Sequence, residues 1–473
     1  MEETESDDRI TWPLIRAGLI TCFGSILTHL STTTVNIALD RLIVDLHSSL
    51  AQIQWVSTGY LLTLSLALPL TRWATARMGM KRLYIWCLGG FAVTSLLCGL
   101  AWSAESLIAF RMLQGVAGGL LAPMLQGMIA QLAGPRRMGR LMAMVGVPVL
   151  LSPLLGPVIG GVLVEYLSWR WLFAFATPIA LLGIWFAWRY LPDTEARTPL
   201  RLDFVGLLLI SPGMALATYA VAEFGHAGTV LAPMVIGPLL AGIALSTLFA
   251  AYASRKGETA LLDLRLFSNP TFTAATMVTF LVAIGSFGGQ LLLPLYYLQV
   301  GGFSPAHVGL LLIPQGVGMI AALPFTGRYS DRGDPALVCA IGILFYLVGT
   351  APFMWLGQDP AYWMLGTGQF LRGVGIAAMT TPAMAVAYRH LAREAMPNAS
   401  TVQNMVQRFG APLGTALLAV MLQYRFVTEG AHDPVRTHAL STAFAQTFML
   451  NFALALPIFV AAWVIYREHH RKK

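Results

Sequence analysis

Apolar residues in this chain come in long blocks separated by short polar turns. A helix needs ~20 mostly apolar residues to cross the ~30 Å hydrocarbon core of a bilayer. Runs of that kind lie at 12–39, 55–75, 82–102, 104–131, 140–165, 171–191, 204–224, 230–252, 271–299, 304–326, 336–357, 360–388, 401–424 and 442–466. The pattern predicts an all-α polytopic membrane protein with fourteen spans.

Composition agrees. Apolar residues make up 56% of the 473 residues and charged residues 11%, with a mean hydropathy of +0.68. A soluble domain carries ~25% charged residues, so a soluble protein of this length is excluded. The formal charge of +8 points at first to a nucleic-acid partner, but the placement of the basic residues gives another reason. If the N-terminus is cytoplasmic, 23 of the 30 Lys and Arg fall at that side, Arg77, Lys81 and Arg82 around Gly79 among them. Only Arg41, Arg170, Arg425 and Arg436 fall at the other, and Arg111, Arg372 and Arg408 fall within spans. Such a bias sets the orientation of membrane proteins; it predicts both termini inside the cell and no nucleic-acid partner. Residues 2–8 are acidic, unlike the basic start of a cleavable signal. Cys22, Cys87, Cys98 and Cys339 stand singly in apolar runs, which predicts neither a disulfide framework nor a metal site.

Three segments recur. Pro69-Leu70-Thr71-Arg72 is echoed by Pro324-Phe325-Thr326-Gly327, Leu113-Gln114-Gly115-Val116 by Leu371-Arg372-Gly373-Val374, and Gly156-Pro157-Val158-Ile159-Gly160 by Gly410-Ala411-Pro412-Leu413-Gly414. The offsets of 255, 258 and 254 residues are nearly constant. They predict an N-terminal six-helix bundle over 12–191 and a C-terminal copy over 271–466. An extra helix pair lies in the linker 192–270, with tails at 1–11 and 467–473. Two such halves around a central path describe an alternating-access transporter.

The chain at this point resembles the fourteen-span drug:proton antiporters of the major facilitator superfamily, from the first span to the last. The resemblance rests on Thr32-Thr33-Thr34-Val35-Asn36-Ile37-Ala38-Leu39, Trp55-Val56-Ser57-Thr58-Gly59-Tyr60, Arg111-Met112-Leu113-Gln114-Gly115, Gly156-Pro157-Val158-Ile159-Gly160-Gly161, Ser168-Trp169-Arg170-Trp171, Leu264-Arg265-Leu266-Phe267 and the run from Asn404 to Gly410. It implies proton-coupled multidrug export across the cell (inner) membrane, with small hydrophobic or amphipathic substrates, protons and the lipid bilayer as partners. In a Gram-negative cell it also implies a periplasmic adaptor. The Gly156, Pro157, Gly160, Gly161 motif is associated in the family with export, and the loop of Arg77, Gly79, Lys81 and Arg82 with switching. Two departures stand out: Ser31 where the family has Asp, and Arg72 and Ala76 where its loop has Gly and Asp.

Arg111 is the sharpest single signal, because a charged side chain within a span costs at least ~2.5–3.5 kcal/mol. At ~1.5 Å per residue it lies ~10 Å from the outer end of its span and Ser31 ~12 Å from that of its own, so the two are level. No carboxylate falls near mid-span, which leaves the helix-end acids Glu165 and Asp40 as proton candidates. Arg408, beside Gln403, Asn404 and Gln407, is a gating candidate. Asn36, Tyr60, Gln114, Gln126, Gln290, Tyr296 and Gln315 are candidates for lining a substrate cavity, since apolar walls with a few polar groups suit amphipathic ligands. No Walker sequence occurs, no cofactor is indicated, and loops of only ~15–20 residues leave no room for an enzyme's catalytic domain. The two functions that remain are proton-coupled multidrug export and facilitated or differently coupled export of a single metabolite.

Overall fold

A computed structural model describes residues 10–35, 38–133, 137–193, 201–227, 232–303, 305–332, 334–355, 361–389, 391, 395–428 and 436–471. All regular structure among them is helical, as expected where a backbone without water must satisfy its own hydrogen bonds. The first half holds α1 (Trp12–Val35), α2 (Leu39–Asp45), α3 (Leu50–Ala67), α4 (Thr71–Met78), α5 (Met80–Gly99), α6 (Ala104–Ala133), α7 (Met138–Tyr166), α8 (Arg170–Ala174) and α9 (Ala176–Tyr190). A hairpin of α10 (Phe204–Ala227) and α11 (Pro233–Lys256) follows. The second half holds α12 (Pro270–Gln299), α13 (Pro305–Arg332), α14 (Pro335–Thr350), α15 (Tyr362–Arg389), α16 (Met396–Thr428), α17 (Arg436–Ala455) and α18 (Pro457–Arg471). Among the described residues, twelve helices are long and apolar enough to cross a membrane. The expected count was fourteen. The two other predicted spans, 140–165 and 204–224, fall on α7 and α10, whose described apolar stretches are the shorter Met138–Val149 and Phe204–Ala220.

Local chemistry sets several helix ends. Asn269 accepts from the Thr271 amide at 3.0 Å and Asp334 from the Ala336 amide at 2.9 Å, each beside a proline at the first helical position. Gly79, at φ 76°, separates α4 from α5 in a conformation that disfavours side chains.

Packing repeats between the halves: α3 and α5 pack on α6 as α13 and α14 pack on α15, and α1 packs on α7 as α12 packs on α16. Glycine permits the closest approaches. A Cβ on Gly115 or Gly119 would collide with the Tyr60 or Leu64 carbonyl of α3, and one on Gly373 with the Gln315 carbonyl of α13. Small residues of this kind let membrane helices touch backbone to backbone.

The halves meet at the end where the basic residues gather. Asn404 Nδ2 of α16 donates to Gln126 Oε1 of α6 at 2.8 Å. Gly327 of α13 lies against Gly139 and Ala143 of α7, and Gly146 of α7 against Leu323. The hairpin is strapped to α3, where Ser211 Oγ donates to the Leu66 carbonyl at 2.9 Å, and α10 packs also on α16. Arg72, the residue that departs from the family loop, donates to the Ala260 carbonyl of the following linker at 2.7 Å. Asn398 is buried and exchanges two hydrogen bonds with the backbone of Asp263, so the Asn398-Ala399-Ser400 sequence is a structural tie.

Asp203 closes the base of the hairpin. Its carboxylate accepts from Lys256 Nζ at 2.7 Å, Tyr252 Oη at 2.8 Å, the Leu261 amide at 2.9 Å and the Gly206 amide at 3.1 Å. Burial opposes its charge, but these donors, Lys256 foremost, outweigh burial and hold its ionisation below the ordinary carboxylate range. A carboxyl depressed in the folded state stabilises above its unfolded value of ~3.9 and loses that contribution as pH falls through the folded value. Asp203→Asn is therefore expected to cost about 2 kcal/mol at pH 7. Thermal unfolding followed against pH should show the two proteins converging below about pH 4.

Candidate functional site

Arg111, fully buried on α6, is the centre of a polar cluster inside the first half. Its Nη1 donates to Ser31 Oγ and to Gln114 Oε1, both at 2.6 Å. Nη2 donates to the Ser31 carbonyl at 3.2 Å and Nε to the Val56 carbonyl at 3.1 Å. Gln114 Nε2 donates onward to Ser95 Oγ at 2.6 Å. The guanidinium carbon stands 4.1 Å from the centroid of the Tyr60 ring. Residues of α1, α3, α5 and α6 thus converge on one cation, and every hydrogen-bond acceptor it meets is neutral. Such hydrogen bonds to a charged donor contribute ~1.5–3 kcal/mol each, and the ring face adds ~2 kcal/mol in a dry setting. Glu105, on the same helix, accepts instead from Gln52.

Other candidates fall into three groups. Tyr60 and Gln114 belong to the Arg111 cluster, and Gln126 is the α6 side of the contact between the halves. Gln290 is exposed and Gln315 buried. Tyr296, expected to line a cavity, is 1% exposed and packs edge-on against Phe444 at 5.6 Å; it is a core residue of the second half. Glu165 is exposed at the end of α7. Asn36, and the side chains of Asp40 and Pro157, lie outside the described residues. A Cβ on Gly156 would strike the Thr33 side chain, and one on Gly160 would press on the Thr34 backbone at 3.3 Å, so this motif brings α7 onto α1. Gly161 faces open space. Arg77 and Arg82 are exposed. Lys81 bridges to Asp193 at 3.0 Å.

Arg408 is half-buried on α16, near enough to act electrostatically on Tyr60 of α3 and on His29 of α1. His29, which an expectation of carboxylate proton carriers leaves out, lies within electrostatic reach of Arg408. The signal was present: an imidazole two residues before Ser31, in mid-span. Arg372 was recognised as lying within a span but not as a partner of Arg111. At the repeat offset of 258, Gln369 stands where Arg111 does and Arg372 where Gln114 does. Both are fully buried. The second half therefore carries the same pair in reverse order. Arg372 is ringed by Tyr346, Phe353 and Phe448 at 5.2–5.8 Å, and its Nε and Nη1 have no hydrogen-bond partner.

Comparison with known proteins decides the family. The model of the Major Facilitator Superfamily matches residues 21–415. The chain belongs to that superfamily. Among its relatives is the multidrug resistance protein B homolog of Mycobacterium tuberculosis, 35% identical over 89% of this chain and 78% of that protein. Another is the putative multidrug resistance protein MdtD of Cronobacter sakazakii, 29% identical over 98% of this chain and 96% of its own. The fold also matches solved major facilitator structures at low identity. The human organic anion transporter MFSD10 superposes with a TM-score of 0.66 at 17% identity, covering 94% of this chain and all of that one. The proton:xylose symporter XylE gives 0.63 at 14%, covering 96% and 95%. This superfamily member is a multi-pass membrane transporter, not an enzyme.

Proposed function

We propose that the protein is a secondary-active exporter of hydrophobic or amphipathic compounds, driven by the proton gradient and working by alternating access. In this reading α7 and α10 complete fourteen spans, both termini are cytoplasmic in the cell (inner) membrane, and the basic end is the cytoplasmic end. Relatives named for multidrug resistance support efflux. The observation that carries alternating access is where the halves touch: Gln126 to Asn404, and α7 to α13, all at the basic end. Side chains such as His29, nearer the other end, remain exposed. Contact at the basic end fits halves that are closed toward the cytoplasm.

A second reading, a facilitative or differently coupled exporter of one metabolite, draws on the Arg111 cluster. With Ser31 in place of a carboxylate, its partners are neutral and no group there exchanges a proton at physiological pH. Everted membrane vesicles distinguish the two. Ethidium accumulation is expected to stop when the pH gradient is collapsed at constant membrane potential. Accumulation that ignores the collapse overturns proton antiport, and transport of one metabolite but no lipophilic cation favours the second reading.

A further inference from the structure

We infer that His29 is the group that carries the proton through the transport cycle; this rests on the proton-driven reading above. The inference begins from an accounting of titratable side chains. Arg111 is the charge inside the first half, and its acceptors are Ser31, Gln114 and a backbone carbonyl. Glu165 is exposed at a helix end and Glu105 is engaged by Gln52. His29 differs from all of these. It sits on α1 two residues before the Arg111 contact at Ser31, yet its side chain is exposed although both neighbouring turns of α1 are largely buried.

The exposure is to the cleft between the halves, because Arg408 of the opposite half acts on the imidazole. The groups around it are few. Arg408 acts on it from α16, Tyr60 of α3 donates to the neighbouring Thr28 carbonyl at 3.4 Å, and Arg111 lies behind Ser31 on α6. The other helices against α1 carry Arg140, Glu165 and Tyr166 on α7, Arg170 on α8, and Arg189 and Tyr190 on α9, all near helix ends. They also carry Tyr84 and Cys87 on α5, where Tyr84 donates to the Ile20 carbonyl at 2.8 Å, more than two turns from His29. Among the neutral side chains here, imidazole is the one whose unperturbed pKa, ~6.5, lies nearest physiological pH, so a change of surroundings can make it take up or release a proton. No carboxylate among these neighbours holds it permanently protonated.

The chemistry follows from charge. In the outward-open state, hydronium in the cleft gives its proton to an imidazole nitrogen and leaves water. The imidazolium then stands opposite the Arg408 guanidinium, and a cationic substrate sharing the cleft is repelled. Once the cleft opens to the cytoplasm, the proton passes to water there and neutral His29 admits the substrate. Proton and lipophilic cation thus exclude one another at one place, which is the requirement for antiport. The two sites are coupled because both ligands act on the same charge.

The purified full chain in liposomes tests this with ethidium as the probe. Two rates are read: accumulation driven by an imposed pH gradient, and ethidium exchange at equal pH on both sides. His29→Gln is expected to lower gradient-driven accumulation about tenfold and to remove the pH dependence of exchange, which in the natural protein slows as pH falls. His29→Glu, which restores a titratable group, is expected to regain part of the gradient response. A glutamine variant that still accumulates ethidium as the natural protein does overturns the assignment of His29 and leaves proton coupling intact. A natural protein that ignores the gradient overturns proton coupling itself. Loss of exchange in both His29→Gln and His29→Asn makes His29 a structural residue and overturns the assignment as well.

Discussion

Arg111→Lys is expected to slow transport by about one to two orders of magnitude, at unchanged abundance in the membrane. The guanidinium reaches the Val56 carbonyl through Nε, the Ser31 carbonyl through Nη2, and Ser31 Oγ and Gln114 Oε1 through Nη1. Those acceptors lie on three different helices. A lysine ammonium presents its donors from one point and cannot span the fork. Losing one hydrogen bond to a charged donor, at ~1.5–3 kcal/mol, corresponds to that range, since ~1.4 kcal/mol is tenfold. Arg111→Met goes further. It removes the donor that ties Ser31, Gln114 and the Val56 carbonyl together, leaving Gln114 Oε1 only the Ser31 hydroxyl at 3.3 Å, and transport is expected to vanish. Initial ethidium efflux rates at matched protein levels, together with a size-exclusion profile in detergent, measure both variants. A lysine variant at the natural rate would show that the fork geometry is dispensable. A methionine variant at that rate would reduce the cation to a packing element.

Gly115→Ala is expected to destabilise the first half by about 1–3 kcal/mol, and Gly115→Val by more. The added carbon would fall on the Tyr60 carbonyl and the Thr63 hydroxyl, well inside the 3.0 Å that real Cβ atoms respect. One obstacle is backbone, so α3 and α6 must separate. Because Tyr60 also underlies Arg111 at 4.1 Å, the displacement loosens the polar cluster as well. Gly373→Ala repeats the experiment in the second half, against the Gln315 carbonyl. Unfolding temperatures in detergent should fall for both variants. Gly161→Ala, where an added carbon meets nothing within 4 Å, serves as the control and should leave the temperature unchanged. A Gly115→Ala protein as stable as the natural one would mean that the helices part without cost.

Much of this was legible in the residues. Length and polarity of the apolar blocks located the twelve described helices that are long and apolar enough to cross a membrane, because a bilayer imposes one helix length on every crossing. The level positions of Arg111 and Ser31 followed from helix rise alone, and the structure places them in contact. What escaped did so for different reasons. Gln114 and Tyr60 read as cavity lining because polarity marks a residue as purposeful without saying whom it meets; both turn inward to a cation. Tyr296 escaped for the opposite reason, since an aromatic ring with one hydroxyl packs as readily as it binds. His29 escaped because proton transfer within a membrane points first to carboxylates, and an imidazole carries the same chemistry without the charge. The reversed order of Arg111–Gln114 and Gln369–Arg372 lay in the sequence at a fixed offset, but its meaning needed the burial of all four side chains.

That reversal has an electrical consequence. Three residues along a helix are ~4.5 Å of axis, so the second half holds its cation one turn nearer the basic end than the first half does. Across a ~30 Å core, such a step spans about one-seventh of the membrane voltage. At ~2.3 kcal/mol per elementary charge and 100 mV, moving Arg372 by one turn would exchange ~0.3 kcal/mol with the field. The buried arginines are thus poor voltage sensors, and the membrane potential acts on the cycle chiefly through whatever charge crosses with substrate and proton.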